Sequence, residues 1–299
     1  MSQIFDALHQ SATEPAGNGP HEFSAVQELL EVVERKAGRT APLVEQSVQL
    51  ARREPLWQFP SAKVVLPEHS KFVCFTQRES LAAEKFRFLA TRLRHMQQKR
   101  PLKRLVVTSS VAGEGKTMVA ANLACALAAG KQQVLLAEGD LRRPSLAQQL
   151  GLRELPGLSQ VLQNGIDGLN NIYHLENSGF CILLAGDVHS NPLEFMDPGK
   201  LSAFIDRIAA GFDWVVIDSP PVLPLADTSI WMRLADAIML VTHPGVTAKR
   251  QLQRTLETID QSKLLGAVLN ASTEATTNYY YYHYATYAGG LQVSSSTAK

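Results

Sequence analysis

A chain of 299 residues with 45% hydrophobic side chains carries enough apolar material for one large domain plus terminal extensions. Twenty-nine basic residues against 28 acidic ones leave a formal charge of +1, which excludes a bulk electrostatic case for binding nucleic acid or an anionic membrane. The three cysteines, Cys74, Cys125 and Cys181, form no Cys-x-x-Cys, no apolar run approaches the roughly 18–20 residues of a membrane span, and the start Met1 to Asp6 lacks signal-peptide character. Together these predict a cytoplasmic protein with free thiols.

In chain order, residues 1–69 read as an N-terminal helical and linker extension. A short amphipathic piece at Ile4 to Leu8 gives way to Pro, Gly, Asn and Ser, and Val26, Leu29, Leu30 and Val33 then mark one helical face that Gly38 stops. Prolines 42, 55, 60 and 67 predict an extended connector, within which Leu56, Trp57 and Phe59 could make a short docking contact. The globular domain is expected over 70–270. It opens with a helix from Glu79 to Met96, whose apolar face holds Phe86, Leu89, Leu93 and Met96.

Strand-like runs follow at 104–109, 133–138, 181–185, 213–218, 236–242 and 264–270. Most are near-continuous Val/Ile/Leu, as expected of parallel strands covered on both faces. Helices read at 117–129, 199–209 and 247–261, with shorter ones near 145–150, 157–163 and 227–234. The fold class is therefore α/β, a doubly wound and mostly parallel sheet with ligands at the strand C-terminal ends, and the Gly113-Glu-Gly-Lys-Thr117 loop after the run 104–109 makes it of the P-loop NTPase type.

The stretch Leu105-Val-Val-Thr-Ser-Ser-Val-Ala-Gly-Glu-Gly-Lys-Thr117 is a buried strand, a glycine-bearing loop and a helix start. Backbone N–H groups converging at such a turn, with the positive end of the helix, suit a phosphate. Ser110 occupies the place of the usual first glycine. A chance Gly-x-Gly-Lys-Thr in a surface loop is the bland alternative, and the strand before and helix after decide for ATP or GTP. Ala112, Gly113, Glu114, Gly115, Lys116, Thr117 and Met118 are the expected cradle. Lys116 is assigned to the charge on the γ-phosphate, and Thr117 to direct ligation of Mg²⁺.

Two further strands deliver acids to the same edge. Val134 to Arg142 brings Glu138, Asp140 and Arg142, and Trp214 to Pro221 brings Asp218. Hard carboxylate oxygens there suit a Mg²⁺ that bridges nucleotide phosphates. Helix-capping acids are the alternative for any one of them. Asp140 and Asp218 are placed in the metal shell with Thr117. Asp140 is the expected general base for a protonated acceptor, with Glu138 the runner-up. Arg142 is a candidate phosphate contact and Asn270 a candidate for adenine recognition.

After Asn270 the apolar pattern ends, and residues 271–299 read as a tyrosine-rich tail. Tyr279, Tyr280, Tyr281, Tyr282, Tyr284 and Tyr287 are six of the seven tyrosines in the chain. Four consecutive aromatics cannot share one face of a strand or helix, so a core segment is excluded. A sticky interaction segment is one reading; a mobile phosphoacceptor beside a phosphoryl-transfer site is the one favoured by the nucleotide motifs.

With these motifs in this order, the chain resembles the bacterial tyrosine kinases (BY-kinases) of the capsular and exopolysaccharide autokinase family. The resemblance extends to Gly157-Leu-Ser-Gln-Val-Leu162, Leu184-Ala-Gly186 leading to Asn191-Pro-Leu-Glu194, Ser219 to Pro224 with Asp227, and Gly266 to Asn270. It implies ATP-dependent autophosphorylation of the tail in trans within a ring of subunits, control of polysaccharide polymerisation and export, and Mg²⁺ as cofactor. It further implies activation by the cytoplasmic end of a membrane-embedded chain-length regulator, here expected as a separate chain that holds the kinase at the inner face of the membrane. Partition and septum-site ATPases carry a signature lysine where this chain has Val111, which argues against their cross-dimer switch.

The sequence departs from the family at two places. Glu138 stands where the family usually has Asp, and a shift of about 1 Å can cost on the order of 10²-fold in rate. The ring-forming Glu-x-x-Arg-x-x-Arg reads Glu84-Lys-Phe-Arg87-Phe-Leu-Ala90, without its last arginine. A non-kinase ATP-binding scaffold that regulates a polysaccharide co-polymerase is the competing class.

Overall fold

The computed structural model describes residues 59–66, 70–164, 168–187, 196–223 and 226–271. Among them run eight strands: Ser61–Ala62 (β1), Arg104–Ser109 (β2), Val134–Glu138 (β3), Tyr173–Leu175 (β4), Cys181–Leu183 (β5), Trp214–Asp218 (β6), Ala237–Thr242 (β7) and Leu264–Leu269 (β8). They form one sheet in the order β1-β4-β5-β3-β6-β2-β7-β8, and every pairing is parallel except β4 with β5.

Strand alternation divides the interior into two cores. Leu105, Val107, Leu136 and Val216 face one layer, while Val106, Leu135, Ala137 and Ile217 face the other. The helices Leu81–Lys99 and Lys116–Ala129 cover the first layer, and Pro198–Gly211 and Asp227–Leu234 cover the second. This is the doubly wound arrangement expected, and it explains why the β2, β3, β6 and β7 sequences are apolar without alternation.

Lys116–Ala129 is apolar around its whole circumference because it is sandwiched between the sheet and Leu81–Lys99. Asn122 is the one long polar side chain buried along its middle. Its Oδ1 accepts from Cys74 N at 2.9 Å, and its Nδ2 donates to Lys71 O at 3.1 Å and Met118 O at 2.9 Å. Those bonds hold the short helix Val73–Thr76, which periodicity did not predict, against the core. Leu81–Lys99 starts where Ser80 accepts from Ala83 N at 3.2 Å, a side-chain cap on an otherwise unsatisfied donor.

The packed region begins before residue 70. β1 pairs with β4, Phe59 stacks on Phe212 with centroids 5.9 Å apart, and Val65 N donates to Leu150 O at 3.2 Å. The docking contact considered for the connector thus exists at Phe59; Leu56 and Trp57 lie outside the described residues. β4 was also unforeseen. It forms a hairpin with β5 whose turn sets Asn177 at φ 61° and Gly179 at φ 77°, a conformation that these residue types tolerate. Residues 1–58 and the tail tyrosines Tyr279 to Tyr287 lie outside the described residues.

Register places the chemistry. Val107 on β2 and Glu138 on β3 both pair with Asp218 on the central β6. The ends of these three strands therefore meet at one edge of the sheet.

Candidate active site

The loop after β2 turns through Gly113 at φ 86° and Gly115 at φ 88°, left-handed values that favour glycine, and Lys116 opens the helix. Gly115 has a second constraint: a Cβ there would lie 2.1 Å from Asn270 Nδ2. That amide donates to Glu114 O at 2.9 Å, while Asn270 N donates to Thr242 O at 2.8 Å. Asn270 therefore braces the loop at Glu114 and Gly115, a contact distinct from the adenine recognition expected of it.

Glu114 is fully buried. Its Oε2 accepts from Val111 N at 2.7 Å and its Oε1 accepts from the Thr247 hydroxyl. Its side chain thus holds the loop's shape from within and ties it to the segment after β7. Ser110, in the place of the usual glycine, has a buried hydroxyl with no partner among the described residues.

Lys116 Nζ lies 3.2 Å from Asp140 Oδ2, and Asp140 Oδ1 accepts from Arg143 N at 3.1 Å. Asp218 is buried at the end of β6. Burial pushes its carboxyl up to about 7, against the pull of the Lys116 ammonium and the Thr117 hydroxyl. Its Oδ1 has no hydrogen-bond partner among the described residues.

A buried, unpartnered carboxylate oxygen beside a threonine hydroxyl is the donor set a hydrated Mg²⁺ fits. Among the described residues no group of three or more His, Cys, Asp or Glu converges to hold a metal, so nucleotide phosphates and water would have to complete the shell. Lys116, Thr117, Asp140 and Asp218 are thus brought together.

Two expected residues are engaged elsewhere. Arg142 forms a fork on Asp227, with Nε to Oδ2 at 2.5 Å and Nη2 to Oδ1 at 3.1 Å. Glu138 is buried on the β5 side, where its Oε1 accepts from Ser145 N and Leu146 N at 2.7 Å each, and its Oε2 accepts from Ala185 N at 3.0 Å. Burial raises its pKa, and these amides oppose the rise.

Thr247, Trp231 and the pairing role of Asp227 were missed by the sequence reading. Trp231 Nε1 donates to Gly139 O at 3.1 Å and packs so closely that a Cβ on Gly139 would meet its ring at 2.8 Å. The glycine between Glu138 and Asp140 was the available signal.

Residues 102–292 match a protein family described as ParA: NUBPL iron-transfer P-loop NTPase. The chain is 30% identical over 213 residues to the tyrosine-protein kinase YwqD of Bacillus subtilis, covering 71% of this chain and 90% of that one. It is 27% identical over 208 residues to the putative tyrosine-protein kinase CapB of Staphylococcus aureus, covering 69% and 91%. It also superposes on the crystal structure of the chimerical protein CapA2B2 with TM-score 0.64 at 27% identity, over 72% of this chain and 95% of that one. A nucleotide-binding P-loop fold of this extent, with the Gly-Glu-Gly-Lys-Thr loop in place, identifies the chain as a member of the bacterial tyrosine kinase family of P-loop NTPases.

Proposed function

We propose that the chain is an ATP-dependent protein-tyrosine autokinase that phosphorylates Tyr279, Tyr280, Tyr281, Tyr282, Tyr284 and Tyr287 of its own tail, in trans within a homo-oligomeric ring. The observation that carries this reading is the meeting of Lys116, Thr117, Asp140 and Asp218 at the sheet edge from which the tail departs, because Asn270 itself touches the phosphate loop. From Asn270 to Tyr279 is nine residues, roughly 30 Å at full extension. That length keeps the acceptors within reach of a nucleotide site at this edge of the sheet, on this subunit or a neighbour.

Backbone N–H groups from Ala112 to Met118 would cradle the phosphates, and Lys116 would neutralise charge on the transferred group. Thr117 and Asp218, with Asp140 beside them, would hold a Mg²⁺, which would supply charge neutralisation to the phosphates. Asp140 accepts the phenolic proton as the tyrosine oxygen bonds to the γ-phosphorus and the bond to the ADP oxygen breaks.

The kinase would act in capsule or exopolysaccharide production, switched on by the cytoplasmic segment of a separate membrane-embedded chain-length regulator that also brings it to the membrane. The names of relatives (the putative tyrosine-protein kinase CapB and the chimerical protein CapA2B2) support that setting. Among the described residues no helix is long and apolar enough to cross a membrane, which fits an activator on another chain. Iron transfer finds no support here, because Cys74, Cys125 and Cys181 are all buried and burial pushes their thiols up to between about 11 and about 12.

The test is mass spectrometry of residues 271–299 after incubation with Mg-ATP, with and without the regulator's cytoplasmic segment. Phosphotyrosine in the tail, reduced about 10²- to 10³-fold in Lys116→Met, is the expected result. A bare tail under both conditions, with ATP still bound, would establish the scaffold instead.

A further inference from the structure

The loop from Gly139 to Ser145 carries Asp140 and is pinned along its length. Gly139 N donates to Asp218 O at 2.8 Å, and Gly139 O accepts from Trp231. Arg142 is held by Asp227. At the loop's far end Glu138 is, among the described residues, the side chain that accepts from the Ser145 and Leu146 amides, and its other oxygen reaches across to Ala185, two residues beyond β5. One carboxylate thereby joins the end of the Asp140 loop to the strand on its outer side.

Three of the roughly four lone-pair positions of this carboxylate are taken by backbone amides. None of the partners is a side chain that could turn away on its own. Reaching all three from the end of β3 takes the full length of glutamate: an aspartate would fall short by about one carbon–carbon bond, roughly 1.5 Å.

The nucleotide loop lies on the opposite flank. In the sheet, β6 alone stands between β3 and β2, from whose end the phosphate loop springs, whereas β5 is the outer neighbour. Glu138 thus organises the side of the site away from the phosphate loop, the side that the kinase reading assigns to the acceptor.

We infer that Glu138 is a positioning residue rather than a metal ligand or general base: it clamps the Ser145, Leu146 and Ala185 amides and so sets both Asp140 and the acceptor-side wall. The acceptor assignment rests on the kinase reading above; the clamp itself does not.

The experiment compares the full-length chain with Glu138→Asp and Glu138→Gln by residue-resolved amide exchange, nucleotide titration and phosphoryl transfer. Glu138→Asp is expected to speed exchange at Ser145, Leu146 and Ala185 by about 5- to 30-fold. It is expected to slow transfer by about 10²-fold with nucleotide affinity unchanged. Glu138→Gln keeps one acceptor oxygen for Ser145 and Leu146 but sets an amide N–H₂ against Ala185, so faster exchange should be confined to Ala185.

A metal-ligand role predicts the reverse: Glu138→Asp would keep or raise transfer, exchange would not change, and the clamp would be refuted. Faster exchange with transfer unaltered would refute the positioning of Asp140. If the wild-type chain transfers no phosphate, the kinase reading fails, and exchange alone decides for or against the clamp.

Discussion

Asp218 is enclosed at the end of β6, and the cost of its charge there makes the site sensitive to pH. Its carboxyl titrates near about 7 when folded against 3.8 when free. Between those values the folded chain holds more protons than the unfolded one, so stability falls as pH rises from about 4 to about 7 and levels off above. Thermal melts of nucleotide-free protein should show Tm decreasing across that range, and Asp218→Asn should flatten the slope; an unchanged slope would place the proton elsewhere. Arg142 gives a second test at this scale. Asp227 is buried with both oxygens on Arg142, whose own side chain is about one-third exposed. Arg142→Ala leaves that carboxylate unpaired and should cost about 2–3 kcal/mol by chemical denaturation, below the roughly 3–5 kcal/mol for breaking a fully buried pair because one partner is solvated. A variant without Asp227 as well, Arg142→Met with Asp227→Leu, should recover most of the loss.

At the scale of elements, the segment from Phe59 to Leu66 is held as an edge strap on the far side of the sheet from β8. Gly151 makes room for it, since a Cβ there would sit 1.8 Å from Val65 O, and its φ of 62° adds strain for any other residue. Gly151→Ala should therefore cost about 1–2 kcal/mol from backbone strain alone and free the strap, read as faster tryptic cleavage at Lys63 with nucleotide affinity intact. The helix Leu81–Lys99 is equally informative about the missing ring arginine. Ala90 is buried within the first core layer, so an arginine at that position would not fit the present packing. Arg87, the motif's remaining arginine, is paired with Glu84 and donates to Arg78 O at 2.6 Å. Any ring contact through this helix must use a different set of exposed groups, among which Phe88 with Arg92 over its ring is the prominent one.

Across the whole molecule, β1 and β8 are the two edges of one sheet, so the N-terminal extension and the tyrosine tail leave from opposite sides. Residues 271–299 carry only Glu274 and Lys299 as charged side chains. Six phosphotyrosines would add roughly −9 to −12 charges. On the autokinase reading proposed above, Asp140 and Asp218 of a neighbouring subunit's site would repel such a tail, and its release should loosen the proposed ring. Light scattering before and after autophosphorylation should show a drop in oligomer mass that phosphatase treatment reverses; equal masses would remove charge as the release mechanism.

The strands β2, β3, β5, β6, β7 and β8, the helices between them and the phosphate loop were legible in the sequence because each is a local property: an apolar run, a 3.6-residue period, or glycines next to Lys-Thr. β1 and β4 were not, since strands of two and three residues show no period, and neither sits in a longer apolar run as the equally short β5 does at 181–185. The identity of the ligand edge was also local, because acids followed strands. What each polar side chain there does was decided only by tertiary structure. Glu138 meets an amide 47 positions away, Arg142 a carboxylate 85 away, Glu114 a hydroxyl 133 away, and Asn270 reaches the phosphate loop across 156. A sequence determines which groups can accept or donate; which of them end up within 3 Å depends on how the strands are ordered, and no local pattern encodes that.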